Sequence, residues 1–233
     1  MARTPVPPPP EAVGAASPAP SDTALRIQIL ATEHWSLLAS RSTTQSEVLT
    51  RIAMFLTFVS ATLVSLALVG QATHFEGNFT LYVVAILSVA FLIGVLTQLR
   101  VVNASMEDLM YVVAMNRLRG EYARLVPGIE SGFMSSMHDD QRGAQRTYYF
   151  FKPTLRWSHV PASSMVFIMV VNSALFGLLI ATVIVIAGGM TVAASIGGLV
   201  AAIAYLGLWI WITGLPYLAA WKDHVPTSPT PEP

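Results

Sequence analysis

The sequence predicts an all-α integral membrane protein in which four helices cross the bilayer. Each of four apolar stretches has roughly the 20 residues that a helix needs to cross a hydrocarbon layer about 30 Å thick. None of them contains Asp, Glu, Lys, Arg or His. They cover about residues 52–72, 79–99, 164–187 and 191–213. All 13 Lys and Arg residues lie before the first span, between the second and third spans, or after the fourth span. Four crossings place these three segments on the same side of the membrane.

The composition excludes several classes of function. Of the 233 residues, 54% are hydrophobic and 11% are charged, whereas about 25% of the residues of soluble domains are charged. A net charge of zero gives no indication of nucleic-acid binding. The absence of Cys excludes disulfides, thiol catalysis and thiolate metal sites. The N-terminus lacks the apolar core of a signal peptide, so we expect the first span to serve as an uncleaved insertion signal.

The chain begins with a segment that we expect to be disordered. Residues 1–20 contain seven Pro, and such a segment buries too little apolar surface to offset its chain entropy. We place the end of this tail at residue 21. Ser21 and Asp22 then form a reasonable helix start. Residues 23–50 contain no Pro or Gly, and their apolar residues recur near helical spacing. One helix is therefore predicted from about residue 23 through the first span.

The second span is predicted to extend equally far beyond the bilayer, to the stop at Pro127 and Gly128. A short loop joins spans one and two, so their extensions should form a long antiparallel helical hairpin. If residues equally far from the membrane meet, three pairs of opposite charge form. These pairs are Arg41 with Asp108, Glu33 with Arg117, and Arg26 with Glu121.

The rest of the chain is less regular outside the spans. In the central segment, residues 100–163, a short helix is predicted within 129–137 and a turn at 138–143. An aromatic segment from Tyr148 to Trp157 is expected at the membrane surface.

Pro216 marks the end or a kink of the fourth span. Four further Pro predict a disordered tail at 223–233, which leaves residues 22–222 as one membrane domain.

The positive charges orient this domain. The loops at 71–78 and 188–190 contain no Lys or Arg, whereas the central segment contains eight and the segment before the first span four. The positive-inside rule therefore places both termini and the central segment in the cytoplasm. We expect a multi-pass protein of the cytoplasmic membrane.

No segment has the signature of a catalytic, cofactor or metal site, and we assign no residue to any of them. Asn172 is the most polar residue well inside a span, and we interpret it as a hydrogen-bonding link between helices rather than as part of a pore. Ion pairing and turn chemistry account for two clusters of acid–base groups, although whether they form a site is left open. These clusters are Glu33 with His34, and His138 with Asp139 and Asp140.

Small residues at four-residue spacing in the fourth span predict close helix packing. One row contains Ala193, Gly197 and Ala201, and the row beside it contains Ala194, Gly198 and Ala202. The pattern does not distinguish packing within the chain from self-association.

Residues 29–42, residues 115–119 with Tyr122 and Pro127, and the run His138-Asp139-Asp140 carry a resemblance to a known family. Over about residues 25–215 the chain resembles an uncharacterised family of small bacterial integral membrane proteins, common in actinobacteria. The resemblance implies a bacterial cytoplasmic membrane. It brings no activity, cofactor or catalytic residue.

Three functions are open. We favour a non-enzymatic, homo-oligomeric protein whose cytoplasmic helices mediate assembly or bind a protein partner. The alternative is an oligomeric channel or pore-forming effector, lined by the Ser and Thr faces of several chains. A membrane-bound hydrolase using His34, His138 and Asp139 ranks last.

Overall fold

The computed structural model describes residues 21–149 and 163–232. In these residues the chain forms five α-helices and one short 3₁₀ helix, without strands. They are α1 (Asp22–Ala72), α2 (Phe79–Leu125), the 3₁₀ helix (Ile129–Gly132), α3 (Gln141–Tyr148), α4 (Ser164–Ile186) and α5 (Thr191–Asp223). Four of the helices, α1, α2, α4 and α5, are long and apolar enough to cross a membrane, which confirms the all-α fold class. The predicted tail at 1–20 and most of the aromatic surface segment lie outside the described residues.

The first two helices are long and uninterrupted. α1 has 51 residues and α2 has 47, about twice the length of a span. At the start of α1, the Ser21 hydroxyl accepts a hydrogen bond from the Ala24 N–H at 3.3 Å, as helix caps do. α2 ends at Leu125, and Gly128 beyond it has a left-handed φ of 94°. We call residues 22–50 of α1 and 100–125 of α2 together the polar arm.

α1 and α2 lie side by side and run in opposite directions. Near the connecting loop, Ser65 and Tyr82 share a hydrogen bond of 2.6 Å. Further along, Glu47 contacts Arg100. From the first contact to the second, the residue number increases in α2 and decreases in α1, as expected for an antiparallel pair of helices.

The four long helices form a row. The principal contacts join α1 to α2, α2 to α4, and α4 to α5. The core between the first three contains Phe55, Ala90 and Ile168, each at most 1% exposed. Of α5, only Ala194 and Gly198 are buried. A Cβ atom added at Gly177 of α4 would lie 2.6 Å from the Gly198 carbonyl oxygen, so one of the two predicted small-residue rows packs within the chain.

α5 continues beyond the predicted span boundary at 213. It runs through Pro216, where the sequence left an end or a kink open, to Asp223. Proline removes one backbone hydrogen bond from a helix, and neighbouring structure can compensate for it. Here Trp221 packs against the buried cluster of Leu109, Val112 and Met115 in α2, which holds the far end of α5 in place.

A helix also replaces the second half of the predicted turn at 138–143. α3 begins at Gln141, and the Asp140 carboxylate accepts a hydrogen bond of 2.7 Å from the Gly143 N–H. This bond satisfies one of the free donors at the helix start. α3 lies against α2 and contributes the buried Ala144 to the cluster around Met115.

Candidate functional site

The polar arm begins with ion pairs between α1 and α2. The Arg100 guanidinium donates to Glu47 at 2.9 Å and to Glu107 at 2.7 Å. These hydrogen bonds raise the pKa of Arg100 above its ordinary value. Because Arg100 directly follows the apolar stretch of α2, its charge lies where a membrane helix would enter the polar interface.

The predicted pair of Arg41 and Asp108 is confirmed. Arg41 Nε lies 2.6 Å from Asp108 Oδ1, and Arg41 Nη2 lies 3.2 Å from Oδ2. Asp108 also accepts hydrogen bonds from Gln45 at 2.9 Å and from the Tyr148 hydroxyl at 2.7 Å. Burial alone would raise the pKa of Asp108, but these donors outweigh it and hold the pKa below its usual range. Burial and Asp108 raise the pKa of Tyr148, which keeps its hydroxyl protonated as a donor.

The other two predicted pairs do not form among the described residues. Arg117 pairs with Asp139 at 2.8 Å, and Arg124 pairs with Glu121 at 2.7 Å. The assumed register matches residue 34 with residue 116, yet the His34 ring stacks on Tyr122, with centroids 6.1 Å apart. The constant register therefore fails in the outer half of the arm. Burial, followed by the charge of Arg119, lowers the pKa of His34.

Asn116 joins α2 to the loop before α3 and to α3 itself. Its buried amide nitrogen donates to the His138 carbonyl at 2.9 Å. Its amide oxygen accepts from Arg119 at 2.9 Å and from the Thr147 hydroxyl at 2.8 Å. Burying an amide is unfavourable unless it is hydrogen-bonded, and both polar atoms of this side chain have partners. Asn116 therefore fixes the position of the residues that follow His138.

Asp139 binds the C-terminal tail. Its fully buried carboxylate accepts hydrogen bonds from the backbone N–H groups of Thr227 at 3.0 Å and Ser228 at 2.7 Å. The Asp139 N–H donates to the Ser228 carbonyl at 3.2 Å, and a ring nitrogen of His224 lies 2.7 Å from the Asp139 carbonyl oxygen. Burial would raise the pKa of Asp139, but Thr227, Ser228 and then Arg117 more than compensate and lower it.

Asp140 extends this contact by one more residue pair. Its carboxylate accepts from the Thr230 N–H at 2.9 Å and from the Thr230 hydroxyl at 2.8 Å, besides capping α3. We call Asp139 and Asp140 the carboxylate clamp.

The ordered tail at 224–232 differs from the predicted disorder, because the Pro content gives no information about the backbone N–H groups that the clamp binds.

The predicted acid–base clusters do not converge on one centre. His34 stacks on Tyr122, Glu33 is exposed, and the clamp residues bind the tail. Within residues 21–149 and 163–232, no group of three or more His, Asp or Glu could hold a metal ion. The His138 Nδ1 atom is buried and has no hydrogen-bond partner among the residues that the structure describes.

A second polar cluster lies inside the apolar part. The Asn172 amide nitrogen donates to Gln98 Oε1 at 3.0 Å and to the Tyr205 hydroxyl oxygen at 2.8 Å. Tyr205 donates to the same Gln98 oxygen at 3.2 Å. These bonds link α4 to α2 and α5 and confirm the interpretation of Asn172 as a link between helices. Gln98 and Tyr205 do not stand out in the sequence, since Gln98 lies at the edge of its span and Tyr205 belongs to an aromatic group.

Large apolar side chains are exposed along α1 within the polar arm. Leu25 and Ile29 lie on one side of the helix, and three others lie on the opposite side. Trp35 is 71% exposed, Leu38 is 42% exposed and Leu49 is 61% exposed. Trp35 and Leu38 are three residues apart, and Leu49 follows eleven residues later, which is about three helical turns. The three side chains therefore lie on the same side of the helix. We call them the α1 apolar face.

Comparison with known protein families, with curated proteins and with solved structures finds no match to this chain. The resemblance to the actinobacterial membrane family stays an expectation from the sequence.

Proposed function

We propose that this chain is a non-enzymatic assembly protein of the bacterial cytoplasmic membrane. In this proposal four spans anchor the protein, both termini and the polar arm lie in the cytoplasm, and the α1 apolar face joins copies of the chain into a homo-oligomer. The observation that carries the proposal is the exposure of Trp35, Leu38 and Leu49 on one side of α1.

The α1 apolar face lies beside charged residues. Arg41 and Glu47 belong to the same helical segment as Trp35 and Leu38, and Arg51 follows Leu49 by two residues. Charged groups are very unfavourable in the hydrocarbon layer, so lipid tails do not account for this face. Trp35 and Leu38 are neighbours on this side of α1, and the exposed polar residues Ser42 and Gln45 separate them from Leu49. Exposed apolar surface outside a membrane is typical of protein interaction sites. A second copy of α1 would remove the three side chains from water.

The membrane part of the proposal rests on how the polar groups are arranged. The spans contain no charged residue, and the strongest polar cluster, Gln98 with Asn172 and Tyr205, is bonded across helices within one chain. Transporters and proton relays usually have ionisable groups within the bilayer. These spans therefore favour an anchor.

Cysteine cross-linking tests the oligomer directly, because the native chain contains no Cys. We expect Leu38→Cys to form a cross-linked dimer in membranes under mild oxidation. Ser40→Cys is the matched control, since Ser40 is also exposed but lies about 200° away around the helix. Trp35→Ala should shift the purified protein toward the monomer mass in light scattering, while Ser40→Ala should not. Equal cross-linking at positions 38 and 40 would contradict the proposal.

A second candidate function is an oligomeric pore. Thr57, Ser60 and Ser65 line an open groove along α1, and such hydroxyls could face water if several chains surrounded a channel. However, Thr57 and Ser60 donate their hydrogen bonds to carbonyl groups of their own helix, at 2.9 Å and 2.8 Å. Planar-bilayer recording decides between the candidates: a pore predicts conductance that changes with Thr57→Val, and an anchor predicts a silent bilayer.

A further inference from the structure

The tail segment at 226–231 matches the carboxylate clamp residue by residue. Three of its residues are Pro, at positions 226, 229 and 231, and have no N–H group. The other three, Thr227, Ser228 and Thr230, each donate their backbone N–H to a clamp carboxylate at 2.7 to 3.0 Å. Every backbone donor of this segment is therefore used, and every Pro stands where no donor is needed.

The same prolines prepare the segment for binding. A residue before Pro is restricted to extended conformations, and this restriction applies to Ser228 and Thr230. An extended segment loses less conformational freedom when it binds, so a smaller part of the interaction free energy is lost to ordering. The composition that predicts disorder in isolation thus also favours a preorganised ligand.

Two contacts give the clamp side-chain selectivity. Asp140 accepts the Thr230 hydroxyl at 2.8 Å, which favours a hydroxyl residue at that position. Ser228 lies against Gly120 of α2, where an added Cβ would be 3.4 Å from the Ser228 hydroxyl oxygen and 2.9 Å from the Met137 carbonyl oxygen. Glycine is less favourable than Ala within a helix, and here its absent side chain provides room for the bound segment and for the loop before α3.

We propose that Asp139 and Asp140 form a recognition site for an extended Thr-Ser-Pro-Thr peptide, and that the C-terminal tail is its resident, displaceable ligand. Each clamp carboxylate also has a partner outside the tail, because Arg117 pairs with Asp139, and the Gly143 N–H donates to Asp140. The tail is held chiefly by backbone hydrogen bonds, and Thr227 and Pro229 are exposed. The covalent connection through α5 raises the local concentration of the tail, and a free peptide of the same sequence competes with it.

The test uses the full chain with a weakened tail. Ser228→Pro together with Thr230→Pro removes two of the three backbone donors and leaves the helices and the clamp unchanged. A spin label on Glu232→Cys reports the release as increased mobility. A fluorescent peptide with the sequence of residues 224–232 should then bind this variant saturably in an anisotropy titration. It should bind the native chain at least about tenfold more weakly, because the native tail occupies the site.

Matched variants identify the contacts that matter. A peptide carrying Ser228→Pro should lose binding by at least about tenfold, since it lacks the N–H group that donates a hydrogen bond to the charged Asp139 carboxylate. A peptide carrying Pro229→Ala keeps all three donors and should bind within a few-fold of the original. Asp139→Asn in the weakened-tail chain should reduce binding by a similar factor.

Three results would overturn the proposal: a mobile spin label in the native chain, no saturable peptide binding to the weakened-tail chain, or equal binding of the Ser228→Pro and Pro229→Ala peptides. A circular-dichroism spectrum equal to that of the native chain shows that a variant without binding is still folded. The absence of binding by such a variant then counts against the site.

Discussion

Asn172 links three helices through a single side-chain amide. Its nitrogen bonds to Gln98 on α2 and Tyr205 on α5, and it is fully buried. Replacing it with Leu removes both bonds and keeps a similar volume. Interhelical hydrogen bonds in membranes contribute about 0.6 to 1.7 kcal/mol each, so we expect Asn172→Leu to destabilise the folded state by about 1–2 kcal/mol in detergent unfolding. Thr182→Val is the control, because Thr182 bonds only to its own helix and should be near neutral. Equal stability of both variants and the native chain would contradict this role.

The carboxylate of Asp139 makes tail binding depend on pH. Its pKa is lowered in the folded state despite its burial, so the tail is fully bound above the ordinary Asp pKa of about 3.9. Binding is lost as the pH falls below that value and through the folded-state pKa. The charged and titratable groups around it are Arg117, His138, Asp140 and His224. We expect a spin label on Glu232→Cys to be immobile at pH 6 and to become mobile as the pH falls through the lowered pKa of Asp139, while helical content is retained. In Asp139→Asn the label should be mobile throughout, and a pH-independent immobile label would refute the assignment.

At the scale of single residues, the sequence identifies side chains that act through their own charge or polarity. Arg41 and Asp108 are predicted as a pair by counting residues from the membrane, and Asn172 stands out as an amide in an apolar span. The clamp is different, because the partners of Asp139 are backbone N–H groups. Every residue except Pro carries that donor, so residue identity does not mark which of them are bound.

At the scale of helices, α4 and α5 pack through glycine. A Cβ at Gly177 would lie 2.6 Å from the Gly198 carbonyl oxygen, and a Cβ at Gly198 would lie 2.6 Å from the Gly177 oxygen. Because these neighbours are backbone atoms, the helices must move apart to accept a methyl group. We expect Gly177→Ala or Gly198→Ala to cost about 1–3 kcal/mol in thermal or detergent unfolding. Gly207→Ala, with open space around the added carbon, should be neutral or slightly stabilising. A neutral Gly198→Ala would show that the close approach is not required.

The helices with a strong hydropathy signal are predicted best. α1 and α2 follow the expected course because their apolar spans run on into segments with helical periodicity, and Pro127 stops the second. α3 is missed because Gln141–Tyr148 contains a Gly and few apolar residues, so that only the cap at Asp140 indicates a helix. The sequence left Pro216 as the end or a kink of the fourth span. It could not decide between them because Trp221, near the end of α5, has its partners on α2, far away in sequence.

At the scale of the whole molecule, the row of helices leaves both outer helices with large open sides. α1 contacts chiefly α2, and α5 contacts chiefly α4. Lipid can cover the apolar spans, but the α1 apolar face continues along charged turns of the polar arm. A homo-oligomer formed through α1 would cover that face, and it would place the polar arms of several copies, with their carboxylate clamps, side by side. Self-association and tail recognition would then be separate properties of one arm. Trp35→Ala should remove the first, and Asp139→Asn should remove the second.

The orientation in the membrane is the last property that this arrangement predicts. Both termini and the polar arm should lie in the cytoplasm, because the loops at 71–78 and 188–190 contain no Lys or Arg. Three exposed positions report on the two sides: His74 in the loop, Ser36 in the polar arm and Lys222 near the end of α5. With single Cys at each, a membrane-impermeant maleimide should label position 74 in intact cells. Positions 36 and 222 should react only after the membrane is permeabilised. The cysteine-free native chain gives the background, and labelling in detergent shows that each thiol is reactive. Labelling of position 36 or 222 in intact cells would reverse the orientation, and labelling of only one of them would contradict four crossings.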